Sequence, residues 1–282
     1  MKIAIPWQDR KGRFSWLKAV TLALALAPGL WLAAQWIGGD LGPRALNAAI
    51  HGTGRWAVRF LLISLAVTPA RYVLDWPKIV LVRRMLGLTA LAYAVIHLSL
   101  FAADQGWNPL TVATEIAKRF YLLIGFTALL GLIALGVTST DKIVARMGRN
   151  WKKLHKAVYG IAILALLHHF MQAKADTGPA VLVATLYVWL MLQRQLPGPW
   201  RQSVPAYLAL ALAACACGML IEFAWYGIAT HIDPWRVFWL NFSTAYGIRP
   251  AVWGGIACLA AVPPVAWRRL RQRFPAAMRA AE

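Results

Sequence analysis

Histidine has the widest chemical reach of any side chain in this sequence, because its imidazole moves protons near neutral pH and also ligates metals. His97, His155, His168 and His169 all stand within or beside long apolar stretches. A fifth, His51, opens the segment HGTGRWAVRF, in which Arg55 and Arg59 follow at i+4 and i+8, so that all three share one stripe of a helix. The first group offers nitrogen ligands to a metal, and the second offers cations to an anion. In GRNWKKLHKAVYGIAILALLHHF, residues 148 to 170, histidines stand at both ends of one apolar run. His155 and His168 are 13 residues apart, about 20 Å of helix rise.

The elements that must position these residues follow from the composition. With 60% hydrophobic residues, 15 tryptophans and 14% charged residues, the chain carries more apolar surface than one globular core keeps from water. It reads as a membrane protein of the all-α class, a polytopic helix bundle. Eight stretches are candidates to cross about 30 Å of hydrocarbon: Trp16 to Ile37, Ala48 to Thr68, Leu86 to Ala103, Phe120 to Thr138, Trp151 to Met171, Ala180 to Leu192, Pro205 to Trp225, and Ala251 to Trp267. The sixth is short, and Pro234 to Tyr246 reads as interfacial. The apolar run at LALALAPG continues to Trp36, which favours an uncleaved first helix over a signal peptide.

Basic residues orient these spans, since short cytoplasmic loops collect Lys and Arg. With the N-terminus inside, the loops that become cytoplasmic hold 20 of the 30 basic residues. The opposite loops hold six: Arg44, Lys118, Arg119, Lys174, Arg236 and Arg249. The bias supports both termini in the cytoplasm and accounts for the net charge of +20 without nucleic acid, whose binding calls for basic residues beside aromatics on a soluble face.

The third and fifth spans then both run outward, and His97 reaches a depth similar to that of His168. Two histidines on different helices at matched depth can ligate one iron, and a b-type haem with axial imidazoles fits such a pair in an apolar bundle. A lone histidine in a bundle commonly just hydrogen-bonds a neighbouring helix. Several at these depths, in a chain with only ten acidic residues to build a proton relay, favour haem. Helical geometry puts His169 closer than His168 to the face of His155, since 14 steps of 100° fall about 40° short of four turns. The ligand at this end is therefore His168 or His169.

The stripe on the second span adds a separate argument. A cation at membrane depth is costly unless it faces the interior and meets an anion, and Glu222 is the one carboxylate within a span. Haem propionates would supply the anions, with Arg55 as first partner, Arg59 as second and His51 beside them. In the alternative, the helix starts later and both arginines snorkel to the interface. Cys215, Cys217 and Cys258 fall inside the last two spans, where thiols pack as small apolar groups. No disulfide framework is visible.

The segments HGTGRWAVRFLLISLAVTPAR, RRMLGLTALAYAVIHLSL, FYLLIGFTALLGLIALGVTST and MGRNWKKLHKAVYGIAILALLHHF occur in this order. Together they resemble the haem-binding membrane subunits of bacterial protein-methionine-sulfoxide reductase systems (the MsrQ or YedZ family), within the ferric reductase-like transmembrane group. The resemblance covers about residues 10 to 195. It implies a six-helix haem-binding domain over 1–195; the chain continues over 196–282 with about two further spans and a basic tail, which the usual shorter members lack. It also implies heme b and FMN as cofactors, with His97, His155 and His168 as the family's histidines. The chain would sit in the bacterial inner membrane and pass electrons to a periplasmic molybdopterin-containing methionine-sulfoxide reductase subunit.

His155 would then serve a cytoplasmic-side haem or the point where electrons enter. No GxGxxG follows a strand and there is no soluble αβ region, so the electrons would come from a separate cytoplasmic flavin reductase or from quinol. If FMN binds, Arg83, Arg84, Arg146 and Arg149 are candidates for its phosphate, although topology alone accounts for them. The chain would carry electrons rather than transform a substrate. The competing readings are a ferric-chelate reductase built on the same bundle and a transporter or assembly protein. A transporter would show broken helices with paired ionisable groups near the midplane.

Overall fold

The computed structural model describes residues 7–8, 12–173, 176–245 and 247–273. Among them the chain is an all-α polytopic bundle, with one isolated antiparallel bridge between Gln8 and Phe14 and no strand. Its helices are α1 (Trp16–Gly38), α2 (Ala45–Val73), α3 (Arg83–Asp104), α4 (Pro109–Lys118), α5 (Phe120–Val137), α6 (Asp141–Met147), α7 (Arg149–His155), α8 (Val158–Gln172), α9 (Gly178–Gln195), α10 (Val204–Ala229), α11 (Pro234–Leu240), α12 (Pro250–Leu259) and α13 (Val262–Arg273). Lys2, Arg10, Lys11, Lys174 and residues 274–282, with Arg279 of the basic tail, lie outside the described residues.

Seven stretches among the described residues are helices long and apolar enough to cross a membrane, one fewer than the eight expected. The difference is α9, whose 18 residues end in Gln193, Arg194 and Gln195. α1 runs unbroken through Pro28 and presents almost its whole surface outward, with Ala25 as its one buried residue. The seven spans make this a multi-pass membrane protein.

The chain forms two compact units, residues 1–64 with 79–172 and residues 65–78 with 173–282. In the first unit α5 packs on α8 and α3, and α1 packs on α3. The amphipathic α4 lies between α3 and α5. Asn108 caps it by accepting from the amides of Leu110 and Thr111, and Pro109 starts its first turn, where a missing amide costs nothing.

The fifth span is not one regular helix. α7 ends at His155, and α8 begins at Val158. Through the junction Lys156 N bonds Lys153 O, Ala157 N bonds Leu154 O and Tyr159 N bonds Lys156 O, all of i→i+3 type. Such bonds wind the chain at three residues per turn instead of 3.6, about 20° more per residue. The expected closeness of His169 to the face of His155 assumed regular winding; about 60° of extra winding over the junction still leaves His169 the nearer, so the junction by itself does not choose between the two.

In the second unit α9, α10 and α12 pack against one another through small residues. Thr185 of α9, fully buried, lies against Gly218 of α10 and Gly254 of α12; a Cβ on Gly254 would meet its Cγ2 at 2.6 Å. Helices in lipid gain little from apolar burial alone, so close approach at small residues supplies the contact energy. α11 is a short segment whose Trp235 and Trp239 are exposed, along with Phe242 just beyond it. This is the aromatic pattern of an interfacial helix. Tyr246, the expected end of that stretch, lies outside the described residues.

Candidate functional site: a histidine pair between four helices

α2 starts ten residues before Arg55, so Arg55 and Arg59 stand well inside a 29-residue helix. This removes the reading in which the helix begins after them. α3 carries His97, α5 lies opposite, and α8 carries His168. The His97 and His168 rings face each other with centroids 6.2 Å apart and planes at 78°.

Each ring is anchored by its Nδ1. His97 Nδ1 is 2.7 Å from the carbonyl oxygen of Ile50 on α2, and His168 Nδ1 is 2.8 Å from that of Tyr121 on α5. A carbonyl oxygen only accepts, so Nδ1 carries the proton in both rings. In a neutral imidazole the Nε2 lone pair is then left over, and neither Nε2 has a hydrogen-bond partner among the described residues. A backbone carbonyl holding the far nitrogen of a metal-ligating histidine is a common supporting arrangement, because it sets the tautomer and raises the basicity of the ligating nitrogen.

The pair fits a haem iron. Two imidazoles on opposite sides of one metal, each with a metal–nitrogen distance of about 2 Å, place their ring centroids about 6 Å apart. The separation in the structure agrees, and so do the two matching tautomers.

His169 follows His168 on α8. It lies within electrostatic reach of His168 and of the α2 stripe of His51, Arg55 and Arg59. Arg59 lies over the Trp56 ring, 4.7 Å from its centroid. Arg55 makes no hydrogen bond or ion pair among the described residues. The stripe therefore gathers cations beside the histidine pair, an arrangement open to an anionic ligand group.

His155 is not part of this cluster. Its ring stacks on Trp151 with centroids 3.9 Å apart, Nδ1 donates to the Trp151 carbonyl at 3.1 Å, and Nε2 lies 3.3 Å from Ser139 Oγ. Trp151 in turn donates to the Thr138 carbonyl. Near this end Arg84 bonds Ser139 O and ion-pairs with Asp141. Arg84 is thereby committed to bracing the turn between α5 and α6. Cys258 is buried with Ala211 and Ala214 in an apolar cluster of the second unit.

Sequence reasoning did not find Gly54 and Gly125. A Cβ on Gly54 would meet His97 Nδ1 at 3.0 Å, and one on Gly125 would meet His168 Nδ1 and Cε1 at 2.7 Å. Each glycine stands four residues after the carbonyl that holds the ring. A glycine in mid-span, weak as a helix former, was the available signal.

The class of protein defined by this bundle and histidine pair agrees with known sequences. Residues 53–166 match the family described as "Ferric reductase like transmembrane component". Three relatives bear the name protein-methionine-sulfoxide reductase heme-binding subunit MsrQ. The one from Rhodospirillum rubrum is 39% identical over 197 residues, 69% of this chain and 92% of that protein. The one from Caulobacter vibrioides is 39% identical over 176 residues, 61% and 83% of the two chains. The one from Azospira oryzae is 35% identical over 210 residues, 71% and 90%. No solved structure matches the chain. The chain belongs to the family of protein-methionine-sulfoxide reductase heme-binding subunits.

Proposed function

We propose that this chain is a haem b electron-transfer subunit of a methionine-sulfoxide reductase system, with His97 and His168 as the residues that would hold the iron. The observation that carries this reading is the facing pair of rings, each with Nδ1 on a carbonyl and Nε2 left for a metal. The relatives named heme-binding subunits support the cofactor. Heme b supplies reversible one-electron transfer when bound. The chain's part is to hold the two imidazoles rigid and to set cations from His51, Arg55 and Arg59 beside them for the propionates. Its apolar helices keep water from the ligands.

His155, packed on Trp151, is the proposed point where electrons arrive from the cytoplasmic side or where a second haem is held. The donor is a cytoplasmic flavin reductase or the quinone pool, and the acceptor a periplasmic molybdopterin-containing reductase subunit. An FMN, if carried, would meet the basic segment around Arg83, Arg146 and Arg149 rather than Arg84, which Asp141 already engages. Residues 1–195 form the proposed haem domain and 196–282 the extension. The chain sits in the bacterial inner membrane with both termini cytoplasmic, which requires that α9 cross as well.

The test is a reduced-minus-oxidised visible spectrum of the detergent-purified protein with pyridine haemochrome quantification. A b-type, low-spin, bis-imidazole spectrum is expected. Protein expressed with ample haem that contains none would overturn the reading.

A further inference from the structure

The contacts that hold the two imidazoles single out two residues without side chains. Resting on the haem reading above, we infer that Gly54 and Gly125 are positioning residues. Each opens its helix so that an imidazole from a facing helix reaches the carbonyl one turn earlier, which fixes the ring and leaves Nε2 for the metal.

The reason is the geometry of a helix carbonyl. The oxygen of residue i accepts the amide of residue i+4, so it lies at the level of that residue's Cα. Its second lone pair remains able to accept, but the approach passes the Cβ at i+4. Glycine removes that obstruction. Ile50 O stands four residues before Gly54 and takes His97 Nδ1–H; Tyr121 O stands four before Gly125 and takes His168 Nδ1–H. A third instance in the same unit shows that the device belongs to the backbone and not to metal binding. The Tyr93 hydroxyl donates to Ala25 O at 3.0 Å, four residues before Gly29, where a Cβ would come 3.0 Å from the phenol oxygen.

The two histidine sites differ in tightness, and this sets the order of effects. An added Cβ at 125 comes within 2.7 Å of two ring atoms, a distance that requires His168 to move. At 54 the nearest ring atoms are 3.0 and 3.1 Å away, so His97 need only tilt by a few tenths of an ångström. Loss of the carbonyl contact also lowers the basicity of the ligating nitrogen, which favours the reduced iron and raises the potential. With haem bound, ring planes as near to perpendicular as these would leave two iron d-orbitals almost degenerate, so that the ferric low-spin EPR signal would report ring tilt directly.

Gly125→Ala and Gly54→Ala are made in the full chain, with two controls. Gly131→Ala puts a Cβ 2.8 Å from Ile161 at the same α5–α8 contact, with no histidine involved. Gly29→Ala loads the Tyr93 site on α3. All are purified in detergent with haem and compared by optical spectrum, EPR and reduction potential. Gly125→Ala is expected to convert the low-spin signal to high-spin or lose it. Gly54→Ala should keep a low-spin signal of altered anisotropy and a raised potential, while both controls match the wild type. If Gly125→Ala does not accumulate, Gly54→Ala against Gly29→Ala decides the matter. Haem-loaded Gly54→Ala and Gly125→Ala with wild-type spectra and potential would refute the inference and leave the haem reading standing, as would controls that shift equally. Wild-type protein without haem would remove the haem reading and this inference together.

Discussion

The guanidinium of Arg194 donates to the carbonyl oxygen of Leu65 at 2.5 Å, the one acceptor in its part of α2 that Pro69 leaves without an amide. Proline has no N–H to give the carbonyl four residues before it, and an unpaired carbonyl in an apolar environment is costly. The same guanidinium bonds Leu190 O. Arg268 of α13 acts similarly at the end of the helix, bonding the carbonyls of Tyr72 and Val73, where the last helical acceptors lack intrahelical partners. Two arginines that read in the sequence as topology markers thus also cap α2 within the second unit.

Arg194→Ala should therefore lower the stability of the detergent-solubilised protein by about 1.5–3 kcal/mol, the range for hydrogen bonds from a charged donor. Thermal unfolding followed by circular dichroism measures it. A melting curve identical to that of the wild type would show that water reaches the Leu65 carbonyl.

His97→Ala and His168→Ala should each abolish the low-spin haem spectrum, because either change leaves one imidazole without its facing partner at 6.2 Å. His169→Ala should retain most of the bound haem. Equal loss from all three, quantified as pyridine haemochrome per protein, would transfer the ligand role to His169.

Removing a cation beside a redox centre disfavours its reduced, more negative form. At roughly 10 Å and an effective dielectric constant near 20, one unit charge is worth about 1.7 kcal/mol. Arg55→Gln should accordingly lower the haem reduction potential by the equivalent of roughly tenfold or more in the redox equilibrium. A potentiometric titration reads the shift, and an unchanged or raised midpoint would exclude Arg55 as a propionate partner.

Glu222 of α10 is 1% exposed and ion-pairs with Arg249 at the start of α12. Breaking a buried pair on one side leaves a charge without compensation, at a cost of about 3–5 kcal/mol, whereas replacing both partners with apolar residues is often nearly neutral. Glu222→Ala should destabilise strongly, and Glu222→Leu with Arg249→Met should recover most of the loss. Additive losses in the double variant, measured by thermal unfolding, would contradict this.

Reporter fusions test the orientation. Fusions at residue 1 and after residue 282 should both report the cytoplasm if α9 crosses along with the seven longer spans. A periplasmic signal from the C-terminal fusion would mean that α9 does not cross.

Much of the helical framework was legible in advance because membrane insertion depends on local properties. The run of apolar residues and the bias of Lys and Arg toward one side are readable in any window of the chain. Five of the expected spans fall inside single apolar helices of the described structure, near the bounds expected of them. The eighth does so only across the α12–α13 junction, and the fifth only across the α7–α8 junction. That junction escaped notice because nothing in KKLHKAVYG breaks a helix by composition: neither proline nor an isolated turn motif stands there, and its i→i+3 bonds belong to the packed helix. α4 was also missed, although Asn108-Pro109 is a helix start by residue type, since ten amphipathic residues fall short of a span.

By itself, the sequence determined that the chain lives in a membrane, where its seven long apolar spans lie, and that His97 and His168 stand at similar depth. Each follows from residue type and the 1.5 Å rise of a helix. Only the tertiary structure decided which histidines meet. That choice depends on how each helix is rotated about its axis, and rotation is set by packing between segments distant in sequence. A glycine that lets a ring reach a carbonyl contributes to it. His155 stacks on Trp151, and His168 stands opposite His97.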